Sequence, residues 1–310
     1  MEATGDDLCY GRLFVLRDRL FAIALLATGA ILTIEAQAPI PAAMVVTASR
    51  QSARPGDLVL LTITTRAAAS SLRARAFDRE LLPFAAGARR WRVLVGVDLE
   101  TSPGTYPVSI EADGSAGVDT AAYELVVAPR TFRTRTLTVD DAYVNPPATT
   151  VERINREAAE LNELWAASNP AKLWDGPFIR PVPDPANSAF GTRSILNGQP
   201  RSPHSGADFS SAAGTPIKAP NGGRVVLAGD RYFTGNTVMI DHGLGLFSLF
   251  AHLSEMSVKD GAMVRTGDVI GKVGATGRVT GPHLHWSVRL NGARIDPLSL
   301  LAALGRPRAR

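Results

Sequence analysis

The chain has 310 residues, enough for two ordinary domains and their connectors, and its 45% hydrophobic and 20% charged content fits a largely globular protein. A formal charge of +4, without a basic run interleaved with aromatics, argues against nucleic-acid binding; the excess suits a solvated surface or an anionic matrix. The single cysteine, Cys9, rules out a disulfide within the chain.

The N-terminus has the shape of a targeting segment. Arg12, Arg17 and Arg19 precede the apolar run LFAIALLATGAILTI (residues 20–34), and small residues follow at Ala36 and Ala38. This pattern predicts a secretory signal over residues 1–38. The run is short of the roughly 20 residues of a full membrane span. Pro39 directly after Ala38 is a poor cleavage context, so an N-terminal membrane anchor is the alternative. With either, the bulk of the chain is exported to the periplasm or cell envelope.

Residues 39–130 predict a β-rich module. VVTAS, DLVLLTITT, WRVLVGVDL, TYPVSIEA and AAYELVVA are rich in β-branched and aromatic residues, and Arg54-Pro55-Gly56-Asp57, Ala86-Gly87, Ser102-Pro103-Gly104 and Asp113-Gly114 punctuate them. Such spacing predicts an immunoglobulin-like antiparallel sandwich, acting as a spacer or targeting module. Residues 131–170 form a linker. Within it TVERINREAAELNELWAA changes to helical period, with Ile154, Ala158, Leu161 and Trp165 on one face, a cap at Thr149 or Thr150, and Asn169-Pro170 as the stop. Residues 171–305 return to short strands and glycine turns, closing with the helical DPLSLLAAL, and 306–310 are a tail. The fold class is therefore mainly β, with a linker helix between two β domains.

Four of the five histidines fall in three clusters of the second β domain. TGPHLHW holds His283 and His285. Alternation along a strand puts both on one face and turns Leu284 and Trp286 into the core, with Gly281-Pro282 as the turn before them. PHSGADF holds His204 and Asp208, with Gly206 allowing a bend between them. His252 ends the apolar strand LFSLFAHL. A catalytic zinc site needs three protein ligands and one open position. His204, Asp208 and one histidine of the 283/285 pair supply that set, leaving the spare histidine and His252 to move protons. No H-E-x-x-H is present, so a histidine would take over the glutamate's role in that metalloprotease type. His242, in DHGLG, reads as structural.

PHSGADFS, LFAHL and GPHLHWSV, in this order, resemble the lysostaphin-type (LytM-like) zinc metalloendopeptidases, over about residues 175–300. GTPIKAPNGGRVVLAG, NTVMIDHG and GDVIGKVGATG resemble the scaffold of that family, and the β-rich region ahead resembles a module of some secreted members. The resemblance implies a lysostaphin-like antiparallel β domain holding one Zn2+ by His204, Asp208 and His285. It makes His252 and His283 catalytic, with base and acid roles unassigned between them. The implied reaction is hydrolysis of peptide bonds in peptidoglycan, with stem peptides as partner and direct D,D cross-links preferred over glycine bridges.

Rival readings remain at this level. Two histidines and a carboxylate also describe non-haem iron oxygenases, with Arg289 and Arg294 as cosubstrate anchors. A wall-binding protein or activator of another wall hydrolase would keep the fold without the chemistry. GKVGATG lacks the residues of a phosphate loop. Glu255 is a solvated residue more readily than a base. Arg193 and Asn197, in GTRSILNGQPR, are candidate substrate contacts on the approach to His204.

Overall fold

The computed structural model describes residues 44–305 apart from 116, 139–140, 142–143 and 188. The expected signal or anchor (1–38) and the tail (306–310) lie outside the described residues. Among the described residues no helix is long and apolar enough to cross a membrane.

The β-branched stretches of the first half form β1 (Met44–Ala48), β2 (Ser52–Ala53), β3 (Leu58–Thr65), β4 (Ala69–Ala76), β5 (Arg79–Leu81), β6 (Phe84–Gly87), β7 (Arg90–Gly96), β8 (Gly104–Gly114) and β9 (Gly117–Val127). One sheet runs β1-β3-β7-β6 and the other β2-β9-β8-β4-β5. Alternate residues of both, among them Val59, Leu61, Ile63, Val93, Val95, Val108, Ile110 and Leu125, share one buried core, so the two sheets form a sandwich. Strands β4 to β6 escaped the sequence reading because Ala, Ser and Arg dominate there. The expected turn at Ala86-Gly87 lies inside β6; the chain reverses at the next two residues, Ala88 and Arg89.

The linker contributes β10 (Thr134–Leu137) and α1 (Ala148–Ala166). Strand β10 pairs in parallel with β11 (Arg193–Leu196), which turns into β12 (Gln199–Pro200). The N-cap of α1 is Pro147 with no side-chain cap, so the threonines expected to cap it lie within the first turn. The Pro146-Pro147 pair imposes the extended backbone from which the helix starts. The packed face is also rotated from expectation. Leu161, Leu164 and Trp165 rest on the body, whereas Ala158 is exposed. The first half is instead tied by polar bonds: Glu157 accepts from the Tyr232 amide, and Arg153 pairs with Glu157 and Asp230.

The remaining strands are β13 (Gly206–Phe209), β14 (Pro216–Lys218), β15 (Gly223–Arg231), β16 (Gly235–Gly243), β17 (Leu246–Met256), β18 (Met263–Val264), β19 (Val269–Val273), β20 (Leu284–Leu290) and β21 (Ala293–Ile295), followed by α2 (Pro297–Leu304). The main sheet runs β13-β20-β17-β16-β15-β18. Strand β17 shows why LFSLFAHL is a continuous apolar run rather than an alternating one: both of its faces are covered. Leu246 and Phe250 join Leu284, Trp286 and Val288 in the main core, while Phe247, Leu249 and Ala251 meet α1, where Trp165 sits edge-on to Phe247 with ring centroids 5.5 Å apart.

The sandwich is docked on this body and is not a free spacer. Leu58 and Leu94, from β3 and β7, belong to the core of the second half. The amide of Leu58 donates to Ser299 Oγ (2.9 Å), and that of Asp296 to the Gly56 carbonyl (2.8 Å). Arg294 pairs with Asp98 and Glu100, and Arg130 with Asp296. These bonds occupy Arg294, and Arg289 stacks over Trp165 (4.6 Å), so neither arginine serves as an anchor beside the histidines.

Candidate functional site

Register places the first two candidates. Strands β13 and β20 are antiparallel with Asp208 opposite His285, and directly paired residues point to one face. Gly206, opposite Ser287, shares that face. It does not act as a bend, since it lies within β13 and its φ is outside the left-handed region. Its function is close approach: a Cβ there would lie 2.6 Å from both His285 Cε1 and the Trp286 carbonyl oxygen. His204 precedes β13 and is fixed through its backbone, donating to the Thr192 carbonyl (2.9 Å) and accepting from Gly191 N–H (2.8 Å).

His204 Nε2, Asp208 Oδ1 and His285 Nδ1 form a small triangle. The edges are 3.0 Å (His204–Asp208), 3.0 Å (His204–His285) and 2.9 Å (His285–Asp208). His285 Nε2 meets Ser287 Oγ at 2.8 Å, and donation there leaves the Nδ1 lone pair facing the triangle. Hydrogen bonding alone satisfies the three atoms poorly, because every arrangement of the available protons leaves one edge lone pair against lone pair or donor against donor. A cation accepts all three lone pairs together, and two imidazoles with a carboxylate are a zinc-type donor set, so the residues fit a metal. Burial alone would raise the Asp208 carboxyl, but its polar contacts with the His204 and His285 rings outweigh it and hold the group far below the ordinary range. Burial pushes the His285 imidazole down, against the pull of the adjacent Asp208 carboxylate.

His283 shares the face of His285, as alternation requires, with Leu284 and Trp286 fully buried behind. Its Nδ1 donates to the Gly281 carbonyl (2.9 Å), and its Nε2 lies 4.0 Å from Asp208 Oδ1. His252 arrives by a different route. Ala251 pairs with His285, so regular alternation would turn His252 to the opposite, core face. Instead its φ is +68°, in the left-handed region, and the ladders shift register around it. Its amide donates to the Thr234 carbonyl outside the ladder (2.8 Å). This kink, which costs on the order of 1–3 kcal/mol for a non-glycine residue, brings the His252 ring within 4.9 Å of His283 and 6.1 Å of His285, centroid to centroid. Nδ1 of His252 donates to the Thr276 carbonyl (2.9 Å), leaving Nε2 as a proton acceptor. Burial pushes this imidazole down to about 4, against the pull of the Thr276 bond.

These histidines and Asp208 line a groove of about 450 Å3. Its walls hold residues that the sequence reading did not single out: Arg135, Ser194, Leu196, Arg201 and Arg278. Ser194 and Leu196 are alternate residues of β11, which explains why Arg193 points elsewhere; Asn197 sits in the turn to β12 with φ +49°. His242 is fully buried, bonded through Nδ1 to the Gly222 carbonyl (2.7 Å) and through Nε2 to Ser248 (3.0 Å), a structural histidine. Glu255 is exposed and paired with Lys272.

Residues 202–297 match Peptidase family M23. Over 97 residues the chain is 46% identical to the DD-carboxypeptidase/endopeptidase Mpg of Neisseria meningitidis serogroup B, a match covering 31% of this chain and 22% of that protein. Over 96 residues it is 41% identical to the peptidoglycan DD-endopeptidase ShyA of Vibrio cholerae, again 31% and 22%. The chain thus spans about a fifth of the length of these curated relatives. A solved Pseudomonas aeruginosa structure assigned to peptidase M23 is 36% identical, covers 82% of this chain and 96% of its own, and superposes with a TM-score of 0.63. The chain belongs to peptidase family M23. All five clustered positions of this M23 chain fall inside the family match, while Arg135 and the β11 wall precede it.

Proposed function

We propose that this M23 protein is a zinc-dependent endopeptidase that hydrolyses peptide cross-links of peptidoglycan outside the cytoplasm. The observation that carries the proposal is the triangle of donor atoms with edges of 2.9–3.0 Å, flanked in one groove by two further histidines whose Nδ1 atoms are tied to carbonyls. His204, Asp208 and His285 would hold one zinc ion. Bound there, zinc supplies Lewis acidity toward water and the scissile carbonyl. His252 and His283 present Nε2 as a proton acceptor; one takes a proton from the attacking water, and that proton passes to the leaving amine directly or through the other. The DD-endopeptidase names of the Vibrio relatives support D,D cross-links as the bond cut.

The sandwich reads as immunoglobulin-like: with its strands lettered in order, the sheets run A-B-E-D and A′-G-F-C-C′. Residues 1–38 read as its export signal or anchor. The test is digestion of purified peptidoglycan of defined cross-link type, with and without a chelator. Zinc-dependent release of uncrosslinked muropeptides is expected. Products cut only in the sugar strands, or release that a chelator leaves unchanged, would refute the proposal.

A further inference from the structure

The hydrolytic chemistry gives no role to the turn GKVGATG, residues 271–277. In the fold its Thr276, in the loop between β19 and β20, sits against the kink that brings His252 to the groove. That kink is a β-bulge. Asn236 pairs with Leu253 and Val238 with Phe250, so Ala251 and His252 together stand opposite Thr237 alone. A bulge re-aims a side chain and leaves ladder groups to be satisfied elsewhere.

Thr276 satisfies them from its side chain and its backbone. Its hydroxyl donates to the Leu253 carbonyl (2.8 Å) and accepts from the Asn236 amide (2.9 Å), bridging the two strands at the bulge. Asn236 Nδ2 gives the Leu253 carbonyl a second bond (3.1 Å). The Thr276 carbonyl accepts from His252 Nδ1 (2.9 Å). A carbonyl only accepts, so this contact assigns a proton to Nδ1 and, in the neutral ring, the lone pair to Nε2. The fit is close: Gly235, at φ +60°, leaves no room for a Cβ against Thr276 Oγ1. The loop is pinned on either side, by the Arg278 amide to the Phe233 carbonyl (2.9 Å) and by the His283 amide to the Gly274 carbonyl (3.2 Å). One hydroxyl thus joins the bulge to the loop whose carbonyl sets the tautomer.

We infer that Thr276 is a positioning residue for His252: its hydroxyl latches the bulge that turns the ring into the groove, and its carbonyl holds the ring with Nε2 free to accept a proton. This rests on the endopeptidase reading and adds to it the residue that fixes one of its proton carriers.

The test uses the zinc-loaded full chain and a synthetic D,D-cross-linked wall peptide. Thr276→Val keeps the branched shape and removes both hydroxyl bonds. It is expected to lower kcat by about 10–100-fold, the scale of a misplaced catalytic group, with KM and zinc affinity within about twofold. Thr276→Ser keeps the hydroxyl and should retain kcat within about threefold. Imidazole nitrogen NMR, with the His252 signals identified by their loss in His252→Gln, reads the tautomer. Nδ1–H is expected in the wild type and Thr276→Ser, and a mixture of both tautomers in Thr276→Val. A threonine that only stabilises the loop would lower the melting temperature and leave kcat and tautomer alone. If Thr276→Val does not fold, Asn236→Ala, which removes the other side-chain bond to the Leu253 carbonyl, must show the same two changes. An Nε2–H tautomer in the wild type, native kcat and tautomer in the variant, or a kcat loss that only tracks lost zinc overturns the latch. A tautomer that Thr276→Val disturbs, in a protein that does not cleave the peptide, upholds the latch and sinks the endopeptidase reading. Cleavage with kcat and tautomer untouched by Thr276→Val does the reverse.

Discussion

Replacing Gly206 by alanine should damage the site without substituting a proposed ligand. An alanine Cβ would lie 2.6 Å from the Trp286 carbonyl oxygen, 2.6 Å from His285 Cε1 and 2.8 Å from His285 Nε2, where ordinary contact begins near 3.4 Å. The overlap is about 0.8 Å on each carbon–oxygen or carbon–carbon pair. The carbonyl cannot yield, because it belongs to the β13–β20 pairing at Ala207–Trp286. Either the strands separate or the His285 ring turns, and both moves draw Nδ1 away from Asp208 and His204. Overpacking of this size costs about 2 kcal/mol, which lowers the melting temperature by roughly 4–8 °C. Displacing a metal-orienting element costs about 10–100-fold in affinity. Thermal melting, competitive zinc titration and peptidoglycan hydrolysis measure the three effects. Gly281→Ala is the stability control, since nothing lies within 4 Å of its Cβ position and its φ is not left-handed. A Gly206→Ala protein with native zinc affinity and native turnover would show that the tight approach of β13 to His285 does not matter.

Three further outcomes follow from named contacts. His252→Gln should lower turnover by about 10²–10⁴-fold with zinc retained; metal analysis alongside kinetics separates lost proton transfer from lost metal. Burial pushes His242 from 6.5 to about 4, against the bond to the Gly222 carbonyl, so between those values the unfolded chain binds the extra proton. Stability therefore rises with pH from about 4 to 6.5 and levels above, by roughly 3 kcal/mol for this group, and chemical denaturation of wild type against His242→Gln across that window measures the difference. Arg294→Ala should cost about 1–3 kcal/mol by stranding part-buried Asp98 between the sandwich and the second β body. An unchanged denaturation midpoint would mean the two halves do not depend on that ion pair.

Much of the molecule was legible in one dimension because its rules are local. Alternation alone put His283 and His285 on one face with Leu284 and Trp286 behind, and turn residues with β-branched runs located most strands. Helical period found α1, though not which side would pack, because the core facing it belongs to strands 60 to 90 residues further on. The spacing of PHSGADF brought His204 and Asp208 into one cluster, but the reason for its glycine is a ring on another strand.

What required the fold is everything set by distant backbone. His252 points at the site only through a left-handed residue and a slipped ladder, which alternation from Ala251 would deny. The arginines of the groove wall lie in three segments separated by up to 143 residues, and no local pattern marks them as neighbours. The sequence by itself determined which donor atoms the chain owns and which strands carry them. The pairing of strands decided that three of those atoms stand 3 Å apart, because register and close backbone approach are properties of two segments together and of neither alone.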